Sequence, residues 1–300
     1  MRNATLDHAR LIAAGGIVVF HSGAPGGAIG YAALPFFLMV LMLLAWPAAE
    51  RQPFAAFAGT RAWRLLAPWA VWSGVYGALK LLEVAVTGRP LSAEFAPWMA
   101  LTGPAIHLWF LPFAAVACLA LWPVARATAG LALPARAGLA VLAVALALGA
   151  VLLQQGVALP PPFAQWAEAA PAVALGAGLA LVRVSRAGTA ALMAGVVAML
   201  VATGWPQGAT QLALAGAALW LCLAVPQPDS RVGRVSADLS LTVYLAHPMV
   251  AAILMRATPL PDHSTALALS TVAVTLVLAL GLRGAGHLAR MARQPQPAPA

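Results

Sequence analysis

Leu6-Asp7-His8-Ala9-Arg10, then the apolar run Leu11 to Phe20, then His21-Ser22-Gly23: an arginine opens a nearly pure apolar segment and a histidine closes it eleven positions later. At about 100° per residue, eleven residues fall roughly 20° past three whole turns, so both side chains share one helix face about 16 Å apart along the axis. An ionisable residue at membrane depth costs at least about 2.5 kcal/mol unless it is paired or put to use. Arg10 and His21 are therefore the first candidates for function. A basic start, a short apolar core and the small residues Ser22, Gly23 and Ala24 also outline a cleaved signal peptide. Asp7, the histidine and the apolar character of everything downstream speak for a retained helix. On this stretch alone, work and interfacial anchorage fit His21 equally.

The rest of the chain extends the membrane reading. Of 300 residues, 62% are hydrophobic and 8% charged, against about 25% charged in a soluble domain. The net charge is +9, but the basic residues are scattered in ones and twos, without the patch that nucleic acid requires. Cys118 and Cys222 both sit in apolar runs and read as free thiols, with no framework for disulfides.

The expected fold is an all-α polytopic bundle of about ten spans: 6–24, 28–47, 64–86, 106–123, 136–154, 166–182, 188–205, 209–225, 238–256 and 264–282. Each suits an apolar core of about 30 Å. With the N-terminus in the cytoplasm, 14 of the 17 Lys and Arg residues fall inside and only Lys80, Arg89 and Arg256 lie near or beyond the outer side. The positive-inside bias thus places both termini in the cytoplasm. The transmembrane domain covers 1–282, and 283–300 reads as a basic, Pro-rich cytoplasmic tail.

Several polar residues need explaining. Arg61-Ala-Trp-Arg64 closes the second connection, its arginines sharing a face at i and i+3. Two adjacent guanidiniums suit a phosphate between them, and equally suit lipid headgroups. His107-Leu-Trp109-Phe-Leu-Pro112 opens the fourth span, where His and Trp fit an aromatic belt. Ser240, Tyr244 and His247 form one polar stripe in the ninth span, which faces protein or a watery cavity rather than lipid; interhelical hydrogen bonding is the bland alternative. Lys80 and Glu83 have the spacing of an ion pair. Glu168 and Glu94 sit towards the outer side, within reach of a polar substrate. His8, His263 and His287 read as solvated.

These residues segregate by depth: Arg10, Arg61 and Arg64 inside, His21, His107 and His247 midway or outward. A polyphosphorylated donor such as coenzyme A, held inside with its acyl arm entering the membrane, and a neutral imidazole acting as general base on a hydroxyl, would use that division. No nucleophile-elbow serine and no metal-ligand spacing such as HExxH occurs, and no metal is expected.

The same residues resemble the membrane acyltransferase-3 family. The likeness rests on Arg10 with ten residues before His21, Arg61-x-x-Arg64 followed by Pro68, His107-Leu-Trp-Phe-Leu-Pro112, and Ser240-x-x-x-Tyr244-Leu-x-His247, four stretches in the family's order. It implies an O-acyltransferase of the bacterial inner membrane. The donor would be acetyl-CoA or another acyl-CoA and the acceptor a hydroxyl of a surface polysaccharide or its lipid-linked oligosaccharide precursor. His21 and Arg10 would be catalytic; Arg61 and Arg64 would bind the donor; and His107, Trp109, Ser240, Tyr244 and His247 would line the substrate path. The chain looks like stand-alone members that modify exopolysaccharide. It departs from the family at Leu34 to Val40, where a Ser-Gly usually found in the second span is missing. Membrane lipids are the other expected partner; nucleic acid is not one. The rival reading is a transporter or flippase of a sugar-containing substrate, although no internal repeat is visible.

Overall fold

The computed structural model describes residues 3–182, 193–195, 197, 198, 201, 202, 204 and 206–292. Among them there is helix and turn but no strand. The principal helices are α1 (Ala4–His21), α2 (Ala33–Arg51), α3 (Phe54–Thr87), α4 (Phe110–Thr128), α5 (Leu133–Gly156), α6 (Phe163–Val182), α7 (Pro206–Ala224), α8 (Arg231–Ala257) and α9 (Thr265–Ala292). Six segments of the described residues are long and apolar enough to cross a membrane: Gly27–Arg51, Phe54–Thr87, Ile106–Thr128, Phe163–Val182, Arg231–Ala257 and Thr265–Gly286. Leu133–Gly149 and Gly208–Ala224 are shorter apolar helices. The expected span 188–205 lies largely outside the described residues.

The helix α3 departs from expectation. It has 34 residues, about 51 Å at 1.5 Å per residue, well beyond a hydrocarbon core. Hydropathy starts this span at residue 64, whereas the helix starts after Pro53, so Arg61 and Arg64 lie about two and three turns inside it rather than at the end of a connection. Phe57 explains the extension: it is fully buried among Met42, Trp46, Cys118 and Leu121, so the first turns of α3 are held by packing.

Two compact units divide the chain, Met1–Leu34 with Trp220–Ala300, and Pro35–Leu219. In the first, α1 packs on α8 and α9. Asn3 caps α1 by accepting from the Thr5 N–H at 3.0 Å, and its amide donates to the Cys222 carbonyl at 2.9 Å. Thr5 Oγ1 donates to the Val225 carbonyl at 2.7 Å. Two orphan carbonyls at the end of α7 are thereby satisfied by the start of α1. A Cβ on Gly233, early in α8, would come 2.9 Å from the Ala4 Cβ. The two helices therefore begin side by side and, as His21 at the end of α1 also meets His247 within α8, run parallel. If both cross a membrane, an odd number of crossings must separate them.

Glycines set the closest approaches. A Cβ on Gly30 would lie 2.2 Å from the Gly16 carbonyl oxygen, where the short helix Gly27–Gly30 folds back on α1. We predict that Gly30→Ala forces the two backbones apart and lowers stability by about 1–3 kcal/mol, read as a lower midpoint of thermal unfolding in detergent.

In the second unit, α5 packs on α6 and α3 on α4. Gly176 of α6 lies against the Met39 backbone of α2, its notional Cβ 2.6 Å from the Met39 Cα, and Gly178 lies against Ala140 of α5. Small residues of this kind let apolar helices approach closely where no hydrophobic drive separates helix from lipid.

Candidate active site

His21 is the last residue of α1 and is exposed. Its ring lies 5.2 Å, centroid to centroid, from that of His247 in α8, and 5.1 Å from that of Phe20. Phe20 in turn packs on Tyr31 at 4.4 Å. His247 is 1% exposed. Its Nδ1 lies 2.8 Å from the Tyr244 carbonyl oxygen and 3.3 Å from that of Val243. A carbonyl only accepts, so Nδ1 carries the proton, and in the neutral ring Nε2 holds the lone pair. The Tyr244 ring stands 6.2 Å from that of His247. Ser240 shares the buried stripe, but its hydroxyl donates to the Ala237 carbonyl of its own helix at 2.8 Å.

Around this end of α1 the chain turns sharply. Gly23 has φ 65° and His263, in the connection between α8 and α9, has φ 58°. A Cβ on Gly23 would fall 2.2 Å from the His263 Nδ1, so the imidazole lies directly over the Gly23 backbone. His263 is exposed, in keeping with the expectation that it is solvated, and its ring occupies the space that any side chain at position 23 would need.

The other end of α1 carries charge. Arg10 Nη1 lies 3.6 Å from the Oδ1 of Asp7, whose side chain is buried. The two belong to one helix face at i and i+3, a pairing the sequence reading did not name. His8, also expected to be solvated, is instead held 3.0 Å from Ser236 Oγ of α8. From Arg10 to His21 the helix rises about 16 Å.

The remaining site residues lie in the second unit. Arg61 is half-buried with its guanidinium 5.2 Å from the Phe57 ring centroid. Its Nε is buried without a hydrogen-bond partner among the described residues. Arg64, one turn on, is exposed. His107 is buried in a 3₁₀ turn, Ile106–Trp109, with its ring edge-on to Tyr76 at 5.1 Å. Trp109 packs on Phe113 at 5.7 Å. The turn is seated by α3: Trp69 Nε1 donates to the Thr102 carbonyl at 3.0 Å, and a Cβ on Gly103, at φ 87°, would lie 2.6 Å from Ser73 Oγ. Trp69, Ser73 and Tyr76 at i, i+4 and i+7 are one face of α3, and it is this face, not a lipid belt, that His107 meets.

Lys80 corrects another expectation. Its Nζ lies 3.3 Å from Glu94 Oε2 and 2.8 Å from the Glu94 carbonyl, rather than engaging Glu83 as the spacing suggested. Arg89 Nη1 is 3.6 Å from the other carboxylate oxygen. Glu94 is thus placed as the counter-ion of two cations.

A family profile described as an acyltransferase domain, acyltransferase-3, matches residues 3–283. The chain belongs to the acyltransferase-3 family. Neither the comparison with curated proteins nor that with solved structures gives a match. Membership makes this a multi-pass membrane acyltransferase, and every candidate site residue described above lies within the acyltransferase-3 match.

Proposed function

We propose that the chain is an integral O-acyltransferase of the bacterial inner membrane, moving an acyl group, acetyl in the first instance, from cytoplasmic acyl-CoA to a hydroxyl of a surface polysaccharide or its lipid-linked precursor. The observation that supports it best is the pairing of His21 with the buried His247 inside an acyltransferase domain. His21 is the general base: it takes the proton of the acceptor hydroxyl as that oxygen attacks the thioester carbonyl carbon. The C–S bond then breaks, and the departing thiolate receives the proton from His21, so the base is regenerated. Arg61 and Arg64 hold the phosphates of the donor through planar, bidentate contacts. Arg10 is oriented by Asp7. His107 and Trp109 in one unit, and Tyr244 and Ser240 in the other, are the further side chains proposed to contact the substrates. Both termini lie in the cytoplasm, and a ten-span arrangement puts seven crossings between α1 and α8, an odd number that accords with their parallel course.

Mass spectrometry of the surface glycan tests this reading. Deleting the gene for this chain removes one acyl mass per modified unit. A glycan of unchanged mass contradicts it.

A further inference from the structure

The sequence Tyr244-Leu-Ala-His247-Pro248 contains a device that the roles above do not use. In a regular α-helix the Tyr244 carbonyl would accept from the N–H of residue 248. Residue 248 is proline, within α8, and brings no N–H; its ring also crowds the carbonyl four residues back and tilts it away from the axis. That carbonyl accepts from His247 Nδ1 at 2.8 Å instead. A helical side chain leans towards the preceding turn, so the residue just before the proline is well placed to reach it. The proline opens the acceptor and the histidine occupies it.

We propose that Pro248 is a positioning residue, which fixes His247 as the Nδ1–H tautomer and so keeps a basic Nε2 beside His21. The two ring centroids lie 5.2 Å apart; an N–H of His21 turned towards that Nε2 would leave the other His21 nitrogen to take a proton. His247 thus orients the base much as a carboxylate does in hydrolytic triads, but with a neutral group, which suits a buried position where a charge would be expensive. This inference rests on the reading of His21 as general base.

The test is Pro248→Ala, examined in the full-length protein in lipid bilayers with ¹⁵N-labelled histidine. Alanine favours the helix, so the variant folds and melts no lower than the parent. Its new N–H draws the Tyr244 carbonyl back to the axis and releases His247. The parent should show a protonated Nδ1 and an unprotonated Nε2 for His247, assigned by difference from His247→Gln. In Pro248→Ala the signal should shift to a mixture of tautomers. Tyr244→Phe, which keeps the carbonyl, should leave it untouched. With acetyl-CoA as donor, turnover of Pro248→Ala should fall about tenfold to a hundredfold, as when a partner fixing an imidazole is lost, with the KM for donor unchanged. A parent ring protonated on Nε2, an unchanged tautomer in Pro248→Ala, or a changed tautomer with full turnover each overturns the proposal. The nitrogen spectrum reports on the ring alone, so it still decides the tautomer if acyl transfer itself is never detected.

Discussion

His21→Ala should reduce acyl transfer by about 10³-fold, equivalent to about 4 kcal/mol of transition-state stabilisation, while the protein accumulates and folds as before. The side chain is exposed at the end of α1, so its removal leaves no cavity in a packed core. The neighbouring Phe20–Tyr31 contact and the Ser22 hydroxyl bonded to the Val18 carbonyl at 2.8 Å hold the helix end without it. Losing the imidazole leaves the acceptor hydroxyl without a base at the point of attack. His21→Gln, which keeps hydrogen bonding but cannot take a proton at neutral pH, should be as inactive as the alanine variant. Rates of acetyl transfer measured for both variants, beside their unfolding midpoints, check the expectation. A normal rate for either would remove His21 from the chemistry.

Replacing Arg61 and Arg64 together by alanine should weaken acyl-CoA binding at least about 100-fold. Charge-assisted hydrogen bonds contribute about 1.5–3 kcal/mol each, and about 2.7 kcal/mol in total already amounts to 100-fold in Kd. The two guanidiniums lie one turn apart on α3 and repel each other until an anion neutralises them. Arg61 has a buried Nε without a partner among the described residues, so it gains from a ligand what the fold does not provide. Stability should not fall, because alanine at 61 relieves a half-buried cation and fits a helix well. Arg61→Lys should recover little, since a point charge cannot reproduce the planar fork. Calorimetric titration of coenzyme A into the detergent-solubilised parent and variants measures this directly. Unaltered binding would return both arginines to anchoring the helix at the lipid surface.

Much of this architecture was legible in the chain. Apolar runs separated by arginine-bearing connections mark the helices because the same property, transfer from water to hydrocarbon, governs both. The face shared by Arg10 and His21 follows from helix period alone. The buried stripe of Tyr244 and His247 was readable because a polar residue in an apolar helix has few places to go. What escaped was decided by partners distant in sequence. Lys80 chose Glu94, in the following loop, over Glu83 three residues away, because the turn after Gly88 brings that loop back along α3. The early start of α3 depends on Phe57 entering a core built from α2 and α4, which no hydropathy window registers. His8 on Ser236 and His263 over Gly23 join segments more than 200 residues apart. Gly176 of α6 supplies a small residue against Met39 of α2, a close approach that no periodicity announces. Asp7 was read only as evidence against a signal peptide; its burial beside Arg10, at 3.6 Å, emerges from the structure.

The most direct measurement is transfer of label from [¹⁴C]acetyl-CoA to a lipid-linked oligosaccharide by the purified chain in liposomes, with no other protein present. The account predicts label in the glycan with the parent, and about a thousandth of that rate with His21→Ala. Equal labelling by the two proteins, or movement of oligosaccharide across the bilayer with no label acquired, would contradict it.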